Sequence, residues 1–284
     1  MKIINLSSDY DVEDSEYDFS DRGKKRGYDS GGAEYDSSIK KITDIRAAAR
    51  DENRVNVFVD GKYEFSLDIA QLVDLKIKIG LVISEEELER FKQASEFGKL
   101  YQRALEWVLI RPRSLKETQD YLKERVQKRR LENLKRERNR ERMAELKKAG
   151  DVEGIQRMRE YKTPLKELPE ISSELSGLVF ERLLERGYLD DLKFAEYYVE
   201  NRFVKKGVSM RRLEMELLKK GISKEIVAEV FTNSGRDERG EILKMVAKKR
   251  AKYDDPQKLL AYLVRQGFSY ELAKEYIIEG EENN

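Results

Sequence analysis

Residues 213–231 read LEMELLKKGISKEIVAEVF, and residues 259–277, 46 positions later in the chain, read LLAYLVRQGFSYELAKEYI. In this alignment apolar residues meet apolar residues, Gly221 meets Gly267, and a serine follows two positions later in both copies. Each stretch is typical of a helix that ends at a glycine and is followed by a serine-capped helix. The sequence therefore predicts a repeated helix-turn-helix unit. Because such a unit cannot bury its apolar face alone, we expect the units to stack into an array.

The spacing of the predicted helix caps indicates three repeats, the first of which carries an insertion. Ser209 and Asp255, which is followed by Pro256, lie 46 residues apart. Ser114 and Ser209 lie 95 residues apart, and the excess corresponds to about residues 125–171. The insertion therefore belongs to repeat one.

The insertion is the most charged part of the chain. Residues 125–162 contain fourteen lysines and arginines and seven acids, a net charge of +7. Gly150 and Asp151 are typical of a helix end followed by a cap, which predicts a long helix, a tight reversal and a return helix that ends before Pro164. We expect a narrow apolar stripe to hold the two helices together, formed by Leu131, Leu134, Met143 and Leu146 against Ile155 and Met158.

The residues before the helical region predict a small β module. Apolar residues alternate on both sides of Asp60-Gly61, which predicts a hairpin, and residues 42–45 predict a third strand beside it. Such a sheet is marginal alone, so we expect it to pack on a helix that begins after Ser84, where residues 85–87 are glutamates. The module could be a docking platform or a structural cap.

The predicted fold is mainly α, an array of three three-helix repeats with a small N-terminal β-hairpin or sheet module and a long helical-hairpin insertion in repeat one. We expect a disordered acidic tail at 1–38, the β module and its helix at 39–95, repeat one at 96–188, repeat two at 189–234 and repeat three at 235–280. The tail carries ten acids, and it could be a solubilising leader or a mimic of nucleic-acid charge.

The composition excludes several classes of function. Charged residues make up 40% of the chain and hydrophobic residues 39%, which predicts a thin, elongated core. Histidine and cysteine are absent, which excludes disulfides, thiolate nucleophiles, histidine bases and the usual zinc sites. We therefore expect no catalytic residues, no cofactor and no metal. No leader or membrane span is recognisable, so we expect a cytoplasmic protein.

Three basic clusters stand at equivalent positions, around the linker between the first and second helices of each repeat. They are Arg111 and Arg113; Lys205, Lys206, Arg211 and Arg212; and Lys248, Lys249 and Arg250, with Lys252 close by. In a stacked array equivalent positions line one face, which predicts a positive stripe that binds phosphates or an acidic partner. The alternative is that these cations only offset helix dipoles. The insertion could likewise bind a nucleic-acid backbone or form a scaffold stabilised by its own ion pairs.

Two further candidates have simpler explanations. Trp107 and Tyr101 lie on or near the core stripe of a helix, which favours packing over base stacking. Asp190 and Asp191 could form a metal pair, but the position favours a helix cap.

The motifs together resemble the RecX family of regulatory proteins. The residues that carry the resemblance are Ala104-Leu105 with Arg-Pro-Arg-Ser at 111–114, FERLLERGYLDD at 180–191 with Phe194-Ala195, and LLKKGI at 217–222. Residues 42–45 and the hairpin resemble the β segment of some members. The resemblance covers about residues 40–125 and 172–280.

The resemblance implies a curved array that binds the recombinase RecA, lies in the groove of its filament on DNA, and modulates strand exchange, ATP hydrolysis and coprotease activity. We therefore expect a monomeric, non-enzymatic regulator of recombination and the SOS response, with the three basic clusters as contacts to the RecA filament and DNA. The alternative is a helical repeat protein that binds nucleic acid independently of RecA. Two departures stand out: Thr118 replaces the leucine of Leu213 and Leu259, and the charged insertion replaces the glycine expected after Leu122.

Overall fold

The first described element of the chain is a four-stranded antiparallel sheet. The computed structural model describes residues 39–49, 51–161, 163–253 and 255–282, so the tail predicted at 1–38 lies outside the described residues. The strands are β1 (Ile39–Ala48), β2 (Asp51–Val59), β3 (Lys62–Asp68) and β4 (Val82–Ser84), in the order β3-β2-β1-β4. Asp60 and Gly61 both have positive φ, as a tight hairpin turn between β2 and β3 requires. The predicted hairpin and the strand beside it are therefore present.

Two elements of the β module do not follow from the sequence pattern. They are β4 and the short helix α1 (Ile69–Asp74). Three residues are too few to show an alternating pattern, and β4 exists because it pairs with the beginning of β1. One face of the sheet, with Val57 and Leu67 fully buried, packs against Leu88 and Phe91 of the following helix.

Three groups of helices follow the sheet. Repeat one contains α2 (Glu85–Leu109), α3 (Leu115–Ala149), α4 (Val152–Glu160) and α5 (Ser173–Glu185). Repeat two contains α6 (Asp191–Asn201), α7 (Met210–Lys219) and α8 (Lys224–Asn233), and repeat three contains α9 (Glu238–Lys249), α10 (Pro256–Arg265) and α11 (Tyr270–Glu282). The predicted fold class is therefore confirmed. The predicted domain limits stay a prediction, and the limit at residue 95 falls inside α2.

Side chains cap the helices at the positions that the spacing predicts. Ser84, Ser114 and Ser209 each accept a hydrogen bond from the backbone N–H three residues later. Asp255 accepts from the N–H of Gln257, and Pro256 is the first residue of α10. The neighbouring candidate cap, Asp254, lies outside the described residues.

The buried apolar side chains form four separate clusters, one in the β module and one in each repeat. Helix α2 contributes to two of them, with Phe91 in the sheet cluster and Leu100 in the cluster of repeat one. Leu109 and Leu184, which follow the buried residues Val108 and Leu183, are 64% and 45% exposed.

The insertion is a helical hairpin with an extended return segment. Gly150 adopts the left-handed conformation that ends α3, and α4 returns along it. Of the predicted apolar stripe, Met143 and Met158 are buried, but Leu131 and Leu134 are exposed. They are exposed because residues 163–171, here called the strap, return as an extended chain held by polar contacts. Arg129, Asn133, Arg136 and Asn139 of α3 donate to the backbone carbonyls of Pro169, Leu168, Lys166 and Pro164.

Candidate partner-binding surface

Repeats one and two meet at the N-terminal turn of α3, a contact called here the first joint. The hydroxyl of Ser114 donates to the carbonyl of Lys220 at 2.8 Å, and the N–H of Leu115 donates to the carboxylate of Asp191 at 2.8 Å. The same hydroxyl accepts from the N–H of Glu117 at 3.0 Å. One serine therefore caps its own helix and joins it to the next repeat.

Repeats two and three meet in the same way, at the second joint. The hydroxyl of Ser209 donates to the carbonyl of Gln266 at 2.6 Å, and the N–H of Met210 donates to the carboxylate of Glu238 at 3.2 Å. Gln266 precedes a left-handed glycine, as Lys220 does at the first joint. The two joints therefore share one arrangement of backbone and cap contacts.

A further pair of side chains completes each joint, and the donor and the acceptor exchange sides between the two joints. At the first joint Glu117, three residues after the cap, accepts a hydrogen bond from the ammonium group of Lys220. At the second joint Arg212, also three residues after the cap, donates to the side-chain oxygen of Gln266 at 2.5 Å. The residue on the helix N-terminus is thus an acceptor in one joint and a donor in the other.

Four of the nine predicted partner-binding cations are engaged within the protein. Arg111 forms an ion pair with Glu117 at 3.2 Å, and Arg212 forms one with Glu216 at 3.3 Å in addition to its joint contact. The guanidinium of Arg113 lies 3.9 Å from the centre of the Trp107 ring, and the ammonium of Lys249 lies 5.4 Å from the centre of the Tyr262 ring. These contacts give the four side chains structural roles.

Trp107 packs inside repeat one. Its ring lies parallel to that of Tyr121 with 4.4 Å between centres, and Arg125 lies 4.6 Å from the centre of the Tyr121 ring. Burial, together with the nearby charge of Arg111, lowers the pKa of Arg113. The arrangement agrees with the packing role predicted for Trp107. Tyr101 also packs against the cluster of repeat one.

The other five predicted cations are free. The side chains of Lys205, Lys206, Arg211, Lys248 and Arg250 make no hydrogen bond, ion pair or ring contact with any described residue. All except Arg250 are largely exposed. Lys205 and Lys206 occupy the turn between α6 and α7, and Lys248 and Arg250 lie at the end of α9. These five residues, called here the free cations, are therefore available to a partner.

An open cleft of about 760 Å³ lies at the first joint. Its lining combines cations, acids and polar residues: Arg111, Lys116, Arg202, Lys219 and Lys220; Glu117, Asp120 and Glu216; and Tyr197, Tyr198 and Asn201. Apart from Arg111, none of these residues belongs to the clusters singled out in the sequence. The spacing of Glu216, Lys219 and Lys220 places them on one face of α7, but only the fold brings that face to α3 and α6.

At the second joint the linker between α6 and α7 packs directly against α9, whereas a cleft lies beside the first joint. Glu241 accepts a hydrogen bond from the N–H of Val208 at 2.9 Å, and a Cβ at Gly207 would lie 2.3 Å from the Glu241 carbonyl oxygen. Relative to the shared joint contacts, Phe194 takes the position of Glu241 and Pro112 that of Gly207. A phenylalanine side chain has no acceptor for a linker N–H, so among the described residues the bond between Glu241 and Val208 has no counterpart at the first joint.

Glu216 organises the charges on one wall of the cleft. It accepts from Arg202 at 2.8 Å and from the hydroxyl of Tyr198 at 2.6 Å. Burial opposes ionisation of Glu216, but the hydrogen bonds from Arg202, Tyr198 and Arg212 lower its pKa to about 2. Burial and the bond to Glu216 raise the pKa of Tyr198 to about 12. At neutral pH Glu216 is therefore ionised and Tyr198 is not.

The Asp190-Asp191 pair has a structural role at the first joint. Asp190 caps α6 by accepting from the N–H groups of Leu192 and Lys193, and Asp191 accepts from Leu115. Burial raises the pKa of Asp191. Within the described residues no group of three acids is arranged to hold a metal ion.

Every helix of the described part of the chain is too short or too polar to span a bilayer.

Two family models match the chain in regions that correspond to described elements. The regulatory protein RecX N-terminal domain matches residues 40–84, which contain the sheet, and the second three-helix domain of RecX matches residues 190–230, which contain α6 to α8. A crystal structure of regulatory protein RecX matches this structure with a TM-score of 0.52 and 19% identity, over 84% of this chain and 99% of the other. That likeness supports the fold.

Curated relatives match most of the chain. Regulatory protein RecX of Listeria welshimeri is 28% identical over 246 residues, which cover 84% of this chain and 75% of the relative. Regulatory protein RecX of Bacillus subtilis is 26% identical over 238 residues, which cover 81% and 74%. Together with the sheet, the repeated joints and the two matched domains, these relatives show that the chain is similar to the RecX family of regulatory proteins over most of its length, which supports a regulatory role.

Proposed function

We propose that this chain is a non-enzymatic regulator that binds RecA and its filament on DNA, and thereby modulates recombination and the SOS and DNA-repair response. The similarity to the RecX family of regulatory proteins supports this proposal. The structural observation that carries it is the placement of the free cations around the linkers between the first and second helices of repeats two and three. Repetition of the joint repeats the position of the linker, so Lys206 of repeat two corresponds to Arg111 of repeat one.

A regular polymer presents the same groups at a regular spacing, and a repeat protein can contact it through equivalent positions. The free cations suit the acidic groups of such a polymer, because long-range attraction accelerates association and contacts with phosphates or carboxylates hold the complex. Regulation of this kind requires binding alone and no chemistry within this chain.

The test uses RecA filaments assembled on single-stranded DNA. We expect Lys205→Glu with Lys206→Glu to weaken binding of the full chain to the filament about tenfold or more, with a matching loss of its effect on RecA ATP hydrolysis. Lys224→Glu with Lys274→Glu is the matched control, because these lysines are also exposed and unpaired among the described residues. We expect the control to bind within about twofold of wild type. Equal binding by all three proteins would contradict the proposal.

A second candidate function is direct binding of DNA by the insertion. Six cations in the part of α3 that belongs to the insertion are exposed and make no hydrogen bond, ion pair or ring contact with other described residues: Arg130, Lys135, Arg138, Arg142, Lys147 and Lys148. Among the described residues Glu137, Glu141 and Glu145 also form no ion pair, which favours binding over an ion-paired scaffold.

Bare single-stranded DNA separates the two functions. The second candidate predicts that the wild-type chain binds DNA alone tightly and in a salt-sensitive way, and that Arg138→Glu with Arg142→Glu removes this binding. This result, together with no effect of the wild-type chain on RecA, would favour the second candidate.

A further inference from the structure

The cleft at the first joint carries cations from both repeats that are open to a ligand. Lys219 is exposed and its ammonium group has no partner among the described residues, and the ammonium of Lys116 donates only to the carbonyl of Lys219, at 3.0 Å. Lys116 belongs to repeat one and Lys219 to repeat two. An anion between them would therefore contact both repeats at once.

The acids of the cleft limit what kind of anion fits. Glu117, Asp120 and Glu216 lie among the five cations of the lining, so the sign of charge changes over short distances. A nucleic-acid backbone carries a negative charge at every step and would bring phosphates against these carboxylates. A peptide with one or two acidic side chains between neutral residues can place its carboxylates at the lysines alone.

The cleft also offers groups that suit a peptide. Tyr197 is half-buried, and its hydroxyl makes no hydrogen bond with any described residue. The amide of Asn201, which donates to the carbonyl of Tyr197 at 2.9 Å, leaves its oxygen free to accept from a backbone N–H. An aromatic face, an acceptor and two lysines together match a short extended segment.

We propose that this cleft binds a short segment of the protein partner, in which an acidic side chain lies between neutral residues and its carboxylate is held by Lys116 and Lys219. This inference rests on the proposed function and adds a second contact to the free cations. Because the segment would touch α3, α6 and α7, its binding also fixes the angle between repeats one and two.

The first experiment compares Lys219→Glu with Lys224→Glu in the full chain. Both lysines are exposed and unpaired among the described residues, but Lys224 lies outside the cleft lining. We expect Lys219→Glu to weaken binding to the RecA filament about tenfold and to leave binding to bare single-stranded DNA unchanged, whereas Lys224→Glu changes neither. If wild type binds the filament and Lys219→Glu binds it equally well, the cleft proposal is wrong and the proposed function stands.

If wild type does not bind the filament, the proposed function fails, and a second measurement decides the cleft. The probes are a blocked Ala-Glu-Ala-Glu-Ala peptide and an eight-residue oligothymidylate, titrated into the ¹⁵N-labelled full chain. We expect the peptide to shift the amide resonances of Lys116, Asn201 and Lys219 in wild type and not in Lys219→Glu. Shifts caused only by the oligonucleotide, or by neither probe, would overturn the proposal.

Discussion

The two joints between the repeats use the same contacts and differ in the charges around them. In both, a serine hydroxyl donates to the carbonyl that ends the second helix of the next repeat, and the first helical N–H donates to a carboxylate. The first joint adds Glu117 and Lys220 beside an open cleft, and the second adds Arg212 and Gln266 beside a buried glutamate. The shared contacts set the geometry of stacking, and the differing pairs decide which repeats fit together.

The polarity of these pairs specifies the order of the repeats. If repeat two stacked on a copy of itself, Arg212 would face Lys220, and two cations would meet at the contact. Like charges placed together at a contact disfavour the wrong partner. The natural order instead gives each joint one donor and one acceptor.

The largest expected effect comes from the buried charge of the second joint. Glu241, which is 1% exposed, is paired with Arg236 at 2.9 Å. We expect Arg236→Met to reduce the free energy of unfolding by about 3 kcal/mol, because the buried carboxylate keeps only Lys244 and the N–H of Val208 among the described residues, and the carbonyls of Val199 and Arg202 lose their donor. Urea denaturation followed by circular dichroism measures this loss.

Arg239→Met is the control, because Arg239 is exposed and its guanidinium lies as far as 4.0 Å from the carboxylate of Glu275. We expect this variant to lose less than about 0.5 kcal/mol of the free energy of unfolding. Amide exchange should show the loss in repeat three and at the second joint, with the first joint retained. Equal losses at both joints would contradict their independence.

The serine caps give the next largest effect, and they test what the joints share. We expect Ser114→Ala and Ser209→Ala each to cost about 2 kcal/mol, because each removes both a cap and a contact to the next repeat. Ser223→Ala is the matched control, since Ser223 only caps its own helix, and we expect it to cost about 1 kcal/mol. Denaturation midpoints of the three variants measure the difference. If all three lose the same amount, the contact between repeats contributes nothing.

A smaller effect comes from exchanging the polarity of the first joint. We expect Glu117→Arg alone to be destabilising, because the new cation faces Lys220 and also leaves Arg111 without its acceptor. Adding Lys220→Gln gives the first joint the pair of the second, and a double-mutant cycle should show recovery of about 1 kcal/mol. A cycle with no coupling would show that polarity does not matter for stacking.

The smallest effect is a pH dependence that arises from Glu216 in the wall of the cleft. The pKa of Glu216 is about 2 in the folded chain and lies below its ordinary value of 4.5. The stability that ionised Glu216 contributes is therefore present above about pH 4.5 and is lost as the pH falls toward 2. We expect this contribution to be about 1 kcal/mol, since solvent screens the partly exposed group.

Thermal melting between pH 7 and pH 3 measures the stability that ionised Glu216 contributes. Glu216→Gln should fall less steeply than wild type, whereas Glu214→Gln, on the same helix and unpaired among the described residues, should follow wild type. Since hydrogen bonds also lower the pKa of Glu117 and of Glu241, part of the wild-type fall remains in both variants. Parallel curves for wild type and Glu216→Gln would show that ionisation of Glu216 contributes no stability.

The elements of this fold are predictable because their signals are local. Serine caps, glycine ends and apolar spacing lie within a few residues of the helices that they define, and the insertion follows from the spacing of the caps alone. The strap and β4 are different, because each depends on a partner segment distant in the chain. Thr118 shows the same limit: it replaces a leucine, yet it is fully buried and its hydroxyl donates to the carbonyl of Ser114.

The candidate surface was predictable only in part. The sequence identifies the cations, but it does not show that Arg212 meets Gln266, 54 residues away, or that Lys220 meets Glu117, 103 residues away. It therefore cannot separate the free cations from those that hold the structure. Lys116 and Lys219 were missed because neither belongs to a basic cluster near a linker.

The end of repeat three has a consequence for how such a chain could lengthen. At the place of the two serines stands Asp255, and the residue after it is Pro256. An ionised aspartate has no proton to give, and proline has no N–H, so both bonds that attach a following unit are missing. A gene duplication that appended a fourth unit after α11 would therefore produce a domain without these two bonds. A unit inserted before α9 could instead accept both bonds from Ser209 and Met210.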